Sequence, residues 1–269
     1  MVSGDPNAAG NNKKNMFRAV RDSLARLQMD YIDILYVHFW DWSVNIKDLM
    51  RDLNEIVLSG KVLHIAASDI PAWVVATGNT IAEQHGWSKF VCYQGSSFFR
   101  QIFDCFPGKY NLTERDMEME IIPMCNANQI ATVPWGAVAQ GKLTGVKTRE
   151  NPTNGTRGRV VMTENDFKIQ DVVIEIAKEI GKSPSQVALA WIIQKSTSPL
   201  LGSRTLEQLE DSLQAVDIVL SPEQLKRLEE ISTPKPIFPY TMLGKDTKST
   251  GVLWAPNPMQ KTYDFDTNL

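Results

Sequence analysis

Five short apolar stretches, rich in residues that favour extended backbone, each run into a side chain able to do chemistry. Tyr31 to His38 ends on an imidazole. Val62 to Ser68 ends on a hydroxyl, with Asp69 next. Phe90 to Gln94 ends on a carboxamide, Ile130 to Trp135 on an indole followed by Gly136, and Pro199 to Gly202 leads into Ser203 and Arg204. An imidazole can polarise a carbonyl or carry a proton. A hydroxyl and an amide together offer the donors and acceptors that a bound carboxamide requires, and an indole offers a flat apolar face. An arginine at the start of a helix, beside glycine N–H groups, suits a phosphate. Each residue also has a plain structural reading. A histidine ending an apolar strand can be a satisfied structural histidine, Ser68 can cap the helix that opens near Pro71, and Gln94 and Trp135 can be packing. Their recurrence at the same end of successive strands favours a shared functional rim.

The elements that would hold this rim alternate. Helical spacing of Met16, Phe17, Val20, Leu24 and Leu27 predicts a helix over 15–27. Further helices are expected over 46–58, 71–84, 114–128, 165–180, 185–194, 205–215 and 222–231, the last with Ser221 as N-cap and Pro222 at its first position. Strands alternating with helices imply parallel strands with helical crossovers, in a barrel or an open doubly wound sheet. No G-x-G-x-x-G follows a strand and no G-x-x-x-x-G-K-[ST] occurs, so neither the Rossmann fingerprint nor a P-loop is present. In a parallel barrel, function gathers at the C-terminal ends of the strands, where the five side chains lie.

Composition narrows the classes. The chain of 269 residues carries a formal net charge of −3, without the basic footprint of a nucleic-acid binder. No apolar run is long enough to span a bilayer, and from its polar, turn-forming start no targeting peptide is expected. Cys92, Cys105 and Cys125 fit neither a zinc pattern nor a C-x-x-C motif, so no metal site is expected and the thiols are read as buried or incidental. A cytoplasmic location is the default expectation.

Four blocks resemble the aldo-keto reductases. They are Leu24 to His38, Ser59-Gly60-Lys61-Val62 leading to Ala67-Ser68-Asp69, Val133 to Leu143, and Gly202 to Leu209. Within that family, His38-Phe39-Trp40-Asp41, Pro71-Ala72-Trp73-Val74-Val75 and Tyr93-Gln94-Gly95 look most like the fungal aryl-alcohol dehydrogenase and norsolorinic acid reductase-like branch. The resemblance covers most of residues 10 to 235. It implies an α/β chain forming an incomplete (β/α)8 TIM barrel with about the last five strand–helix units, in a single domain over 1–269 with an irregular tail from 234. It implies an NADP(H)-dependent oxidoreductase that reduces aryl or aliphatic aldehydes and ketones to alcohols. Residue by residue, His38 matches the catalytic-site histidine. Ser68 and Gln94 match the carboxamide contacts, with Asp69 where many members have asparagine. Trp135 matches the aromatic stacked on nicotinamide. Gly136, Gln140, Gly141 and Leu143 fall in the loop near the pyrophosphate. Gly202 and Arg204 match the 2′-phosphate turn, Gln208 an adenine-side contact, and Ser212 stands where asparagine is usual. The partner implied is a small carbonyl or alcohol substrate, with no nucleic acid or membrane.

Two departures accompany the match. The family's reaction uses a tyrosine acid tuned by a lysine and an aspartate on or near the first three strands, and the chain starts in what reads as the loop after the third. Tyr36, two residues before His38 on the same strand face, is a conceivable replacement acid. The missing strands would leave open sheet edges. A truncated or mispredicted product, or a homo-oligomer that completes the sheet, is then expected. The alternatives to catalysis are a nucleotide-binding relic, or a lyase or isomerase using His38. The second departure is the aromatic-rich stretch 96–107 between Tyr93-Gln94-Gly95 and Gly108-Lys109-Tyr110-Asn111. It reads as a lineage-specific loop, as translated intron sequence, or as a substrate lid.

Overall fold

The computed structural model describes residues 9–95, 109–152, 161–195, 198–235, 238 and 240–243. The stretch 96–107 lies outside the described residues, as does Cys105. The chain divides into two units, 1–233 and 234–269, the second contributing one short described helix, Tyr240–Leu243. The remaining description concerns the first unit.

A helix, α1 (Lys13–Leu27), is capped by the Asn12 side chain, which accepts from the N–H of Asn15, and precedes the first strand. Strand and helix then alternate: β1 (Ile32–His38), α2 (Ile46–Leu58), β2 (Val62–Ser68), α3 (Ala72–His85), β3 (Phe90–Gln94), α4 (Ile121–Ala127) and β4 (Ala131–Thr132). After them come α5 (Glu164–Ile180), α6 (Pro184–Gln194), α7 (Leu206–Leu213) and α8 (Pro222–Ile231). Capping boxes at Thr163/Asp166, Ser183/Gln186 and Ser221/Gln224 start α5, α6 and α8. All strand pairs are parallel, in the order β1-β2-β3-β4.

Register sorts the two faces of this sheet. Val37, Ala67 and Tyr93 lie side by side and are buried in the core with Leu49, Leu53, Ile56, Val74 and Val75 of α2 and α3. On the other face Tyr36, Ala66 and Cys92 form one row, and His38, Ser68 and Gln94 form the next, at the C-terminal ends of their strands.

Three expected elements are corrected. The helix over 114–128 is broken into a 3-10 turn, Asp116–Glu118, and α4. Pro123 causes the break: it has no N–H for the carbonyl of Met119 and its ring crowds that carbonyl, so helix resumes only with Pro123 in the first turn. The strand over 130–135 shrinks to Ala131–Thr132, because Pro134 cannot donate and Trp135 instead bridges to Lys109. The segment 199–202 forms no regular strand. It is represented by two bonds, Ser198 N–H to the Thr132 carbonyl at 3.1 Å and Leu200 N–H to the Pro134 carbonyl at 2.8 Å. Alternate residues bond alternate residues, so the segment lies along β4 as a parallel fringe. No described helix is long and apolar enough to cross a membrane.

Candidate active site

The row His38–Ser68–Gln94 owes its aim to the backbone that follows it. The next residues, Phe39, Asp69 and Gly95, have φ of 67°, 51° and 134°, and Gly136 after Trp135 has φ 72°. Each strand therefore turns sharply one residue after its candidate side chain. Phe39 N–H donates to the Ser68 carbonyl at 3.0 Å and Asp69 N–H to the Gln94 carbonyl at 3.1 Å, carrying the ladder one step past the strands. With strands about 4.8 Å apart, the row spans about 10 Å.

His38 is more than half exposed at the rim, and its Nε2 lies 3.1 Å from Oδ2 of Asp69, whose side chain is largely buried. The Phe39 ring covers the imidazole, with ring centroids 3.9 Å apart. The loop after β1 is strapped by the residues before α1: the Asn11 side chain donates to the Phe39 carbonyl at 2.7 Å, and its N–H to the Asp41 carboxylate. The loop after β1 and the first turn of α3 carry exposed indoles, with Trp42 and Trp73 centroids 6.3 Å apart and Trp40 edge-on to Trp42 at 6.2 Å. Trp40 is buried, and its Nε1 is the one buried side-chain nitrogen or oxygen without a hydrogen-bond partner among the described residues.

The other part of the rim is a cavity of about 310 Å³. Trp135, Gly136, Gln140, Gly202 and Ser212 line it, with Leu189, Leu200 and Leu201 as its apolar wall. The sequence placed the first five at a cofactor site from separate parts of the chain, and the fold brings them around one space. Arg204 and Gln208 do not line it. They stand at the start of α7, where the Gln208 side chain accepts from the Arg204 N–H at 2.9 Å. Leu143 is fully buried in the core, so its side chain packs rather than faces the cavity. Gly141 is in the turn Ala139–Gly141, with φ 86°. A larger open groove of about 970 Å³ runs along α1 but is lined by none of these residues. Chemistry rather than size selects the smaller one.

Two contributors escaped the sequence reading. Lys109 is buried, lies 5.9 Å over the Trp135 ring and pairs with Glu114 at 3.2 Å. A Cβ on Gly136 would sit 2.9 Å from its side chain, so glycine is required there on two counts. Its signal in the sequence is an isolated lysine beside Tyr110 and Asn111. The aromatic group Phe39, Trp42 and Trp73 is the other, and its signal was the density of aromatic residues around His38 and Pro71.

Three phenols are engaged elsewhere. Tyr36 lies 3.1 Å from the Cys92 sulfur, Tyr93 donates to the Ile70 carbonyl at 2.7 Å, and Tyr110 donates to Glu118 at 2.9 Å. Burial is the main cause that raises all three above the ordinary phenol range. Cys92 and Cys125 are free, buried thiols, and burial pushes Cys125 up to about 12.

Residues 2–233 match the family model described as the aldo/keto reductase family. The chain belongs to the aldo/keto reductase family. It is 38% identical over 246 residues to an aryl-alcohol dehydrogenase [NADP(+)] of Phanerodontia chrysosporium, covering 87% of the chain and 60% of that relative. It is 36% identical over 269 residues to a putative aryl-alcohol dehydrogenase of Saccharomyces cerevisiae, covering 97% of the chain and 68% of the relative. It is 35% identical over 241 residues to norsolorinic acid reductase B of Dothistroma septosporum, covering 88% and 58%. The chain thus spans about 60% of the first of these relatives. As an aldo/keto reductase, it carries four parallel strands that are part of the family's (β/α)8 barrel, with the candidate rim at their C-terminal ends.

Proposed function

We propose that this aldo/keto reductase is an NADP(H)-dependent oxidoreductase that interconverts aromatic aldehydes or ketones and their alcohols. One observation carries the reading: five candidate cofactor residues from three separate segments line one cavity, and one of them, Trp135, follows the strand beside the His38–Ser68–Gln94 row. The residues fit a dinucleotide. Ser68 and Gln94 offer donors and acceptors to a carboxamide, Trp135 a face for a flat ring, and Arg204 a cation beside the first N–H groups of α7. The cavity volume lies at the lower end of small-molecule sites, which run from about 300 to 1,000 Å³. Bound there, the nicotinamide supplies or accepts hydride. His38 then hydrogen-bonds the substrate oxygen. The exposed rings of Phe39, Trp42 and Trp73 present flat apolar surface to the rest of the substrate. This favours aryl over aliphatic carbonyls. The free thiols of Cys92 and Cys125 suit a reducing compartment, and we place the protein in the cytoplasm.

A second reading, a binding protein without turnover, is favoured by the engagement of the phenols of Tyr36, Tyr93 and Tyr110 with other partners. One experiment separates the two. NADPH is titrated against tryptophan fluorescence, and NADPH consumption with an aryl aldehyde is then followed. Saturable quenching with turnover supports catalysis, and a His38→Ala variant should lose about 10²- to 10⁴-fold in kcat while still binding NADPH. Quenching without turnover supports the binding reading. No quenching sinks both.

A further inference from the structure

We propose that the chain pairs with a second copy of itself, the apolar stripe of α7 in each copy seated in the basic groove along α1 of the other. The pairing does not depend on the oxidoreductase reading. It starts from a helix with an uncovered apolar face. α7 buries none of its residues. Leu206, Leu209, Leu213 and Val216 recur at three- and four-residue intervals through α7 and the turn after it, and they are 65%, 37%, 53% and 66% exposed. That spacing is the pattern of a helix face that packs on something, since a solvated face carries polar residues. Ser212 lines the candidate cofactor cavity, but none of the four apolar residues does, so the stripe is not part of that site.

The groove along α1 offers the matching surface. Phe17, Val20 and Leu24 line it from one face of α1, Met29 from the loop after that helix and Ile56 from α2. Phe17 and Met29 are exposed. The 15 residues of α1 run about 22 Å, and the stripe from 206 to 216 spans about 15 Å, so it fits along the groove. Charge selects the occupant. Lys14, Arg18, Arg21 and Lys61 line the groove against one carboxylate, Asp30. Arg21 also pairs with Asp22, an exposed contact of little weight. The segment 206–219 carries Glu207, Glu210, Asp211 and Asp217 and no lysine or arginine. Asp211 accepts from the Ser183 hydroxyl, while Glu210 and Asp217 are exposed. An acidic amphipathic helix suits a basic apolar groove, and this chain presents both.

Both surfaces are open in the single chain, so a second copy is what joins them. α1 leads into β1, at one edge of the sheet, and α7 follows the segment that lies along β4, at the other. The edge beside the groove is open as well. Among the described residues β1 pairs on one side only, and Ile34 is exposed on it. An uncovered strand edge favours association with another chain. Two copies related by a two-fold axis make the helix-in-groove contact twice and close the assembly at two.

Sedimentation equilibrium of the full chain between about 1 and 100 μM should show a dimer that dissociates on dilution and weakens as salt is raised. Arg21→Glu with Lys61→Glu makes the groove acidic, and Glu210→Lys with Asp217→Lys makes the helix basic. All four residues are exposed, so circular dichroism should be unchanged. Each double variant alone should raise the Kd for association at least about tenfold, because like charges then face each other in both contacts. Mixed in equal amounts, the two should form a one-to-one heterodimer about as tight as the wild-type pair, because both contacts again join opposite charges. A variant that had merely unfolded would not be rescued in this way. A wild type that is monomeric at the highest concentration overturns the proposal. So does a dimer insensitive to both double variants, a mixture that stays monomeric, or a wild type that grows into open chains instead of stopping at two.

Discussion

His38, Ser68 and Gln94 sit on parallel ladders that run in register to the last residue of each strand. Trp135 and Gly136 sit on turns, and what holds those turns is a set of side chains. The Asn111 side chain donates to the Gly136 carbonyl at 2.9 Å, the Lys109 ammonium lies over the Trp135 ring beside a backbone bridge between the two residues, and both belong to a segment anchored by Arg115. The Arg115 guanidinium donates to both oxygens of Glu118 at 2.7 and 2.9 Å, to Ser232 at 2.8 Å and to Glu229, and lies 5.3 Å over the Trp191 ring. Glu229 also accepts from the Trp191 indole at 3.0 Å and pairs with Lys195. One half of the site is thus fixed by repeated backbone bonds that change little with side-chain identity. The other, a lattice of side-chain contacts, turns on Arg115, so a single substitution can undo it.

The largest expected effect tests that dependence. Arg115→Met should destabilise the fold by about 3 kcal/mol, because it leaves Glu118 in a buried place without its cation. The value sits at the low end of such losses, since Glu229 keeps Lys195 and is about a third exposed. Urea unfolding followed by tryptophan fluorescence measures it, and a loss under about 1 kcal/mol would show that the lattice is not what supports this half. Amide exchange should rise around residues 109–118 and 135–136 and stay level in β1 to β3.

The same contrast explains what could be read from the sequence. In β1, β2 and β3 a short apolar run with a polar end is nearly the whole structure, so His38, Ser68 and Gln94 were placed by counting along it. Parallel pairing then set them side by side with no further information. The lattice half was legible only as a family pattern, because long-range side-chain contacts carry no local signal. Arg115 reaches Glu229 and Ser232 across more than a hundred residues. Pro123 is visible in the sequence, yet the expectation of one helix over 114–128 runs across it, and local geometry prevails. The His38–Asp69 contact fell between these cases: the residues were in view, but only the left-handed turn at Asp69 aims one at the other.

The next effect separates the halves by pH. Glu229 is held below the usual glutamate range: burial pushes it up, but the Lys195 hydrogen bond and the Arg115 charge outweigh this. A depressed carboxyl stabilises the fold above its unfolded pKa and loses that contribution as pH falls through the folded value, so the lattice half should loosen first in acid. Around β3 the liability is the opposite one, shared in the other half by the buried phenol of Tyr110. Cys125, packed behind β3, is pushed up to about 12 by burial and then by Cys92, and burial raises Tyr93 and Tyr36 further still. Above the ordinary thiol range the unfolded chain ionises while the folded chain does not, so the unfolded state binds fewer protons and stability falls as pH rises toward 12. At about 1.4 kcal/mol per unit, Cys125 alone should account for a loss of about 2 kcal/mol by pH ~10.5. Urea midpoints at pH 7, 9.5 and 10.5 measure the slope. Cys125→Ala should flatten it, and an unchanged slope would place the alkaline weakness elsewhere.

The smallest effect probes the outer end of the lattice half, where α7 begins. Arg204 is exposed, its N–H is taken by the Gln208 side chain, and the Thr205 side chain caps the helix through the Gln208 N–H. The turn is thus held by Gln208 and Thr205, which leaves the Arg204 guanidinium available for an anion in the oxidoreductase reading. Arg204→Ala should leave the thermal midpoint unchanged, because no described packing depends on that side chain. It should weaken binding of NADPH about tenfold, or about 1.4 kcal/mol, and leave NADH nearly unaffected, because only the former carries the extra phosphate. Charge-assisted hydrogen bonds are worth about 1.5–3 kcal/mol when shielded, and exposure here trims that. The loss should shrink as salt is raised, since the contact is solvent-screened. Equal weakening of both dinucleotides would mean that Arg204 organises the turn rather than reading the phosphate. In that event the polar side chains of the cavity would be Gln140 and Ser212, with the phosphate met by the N–H groups of α7 alone.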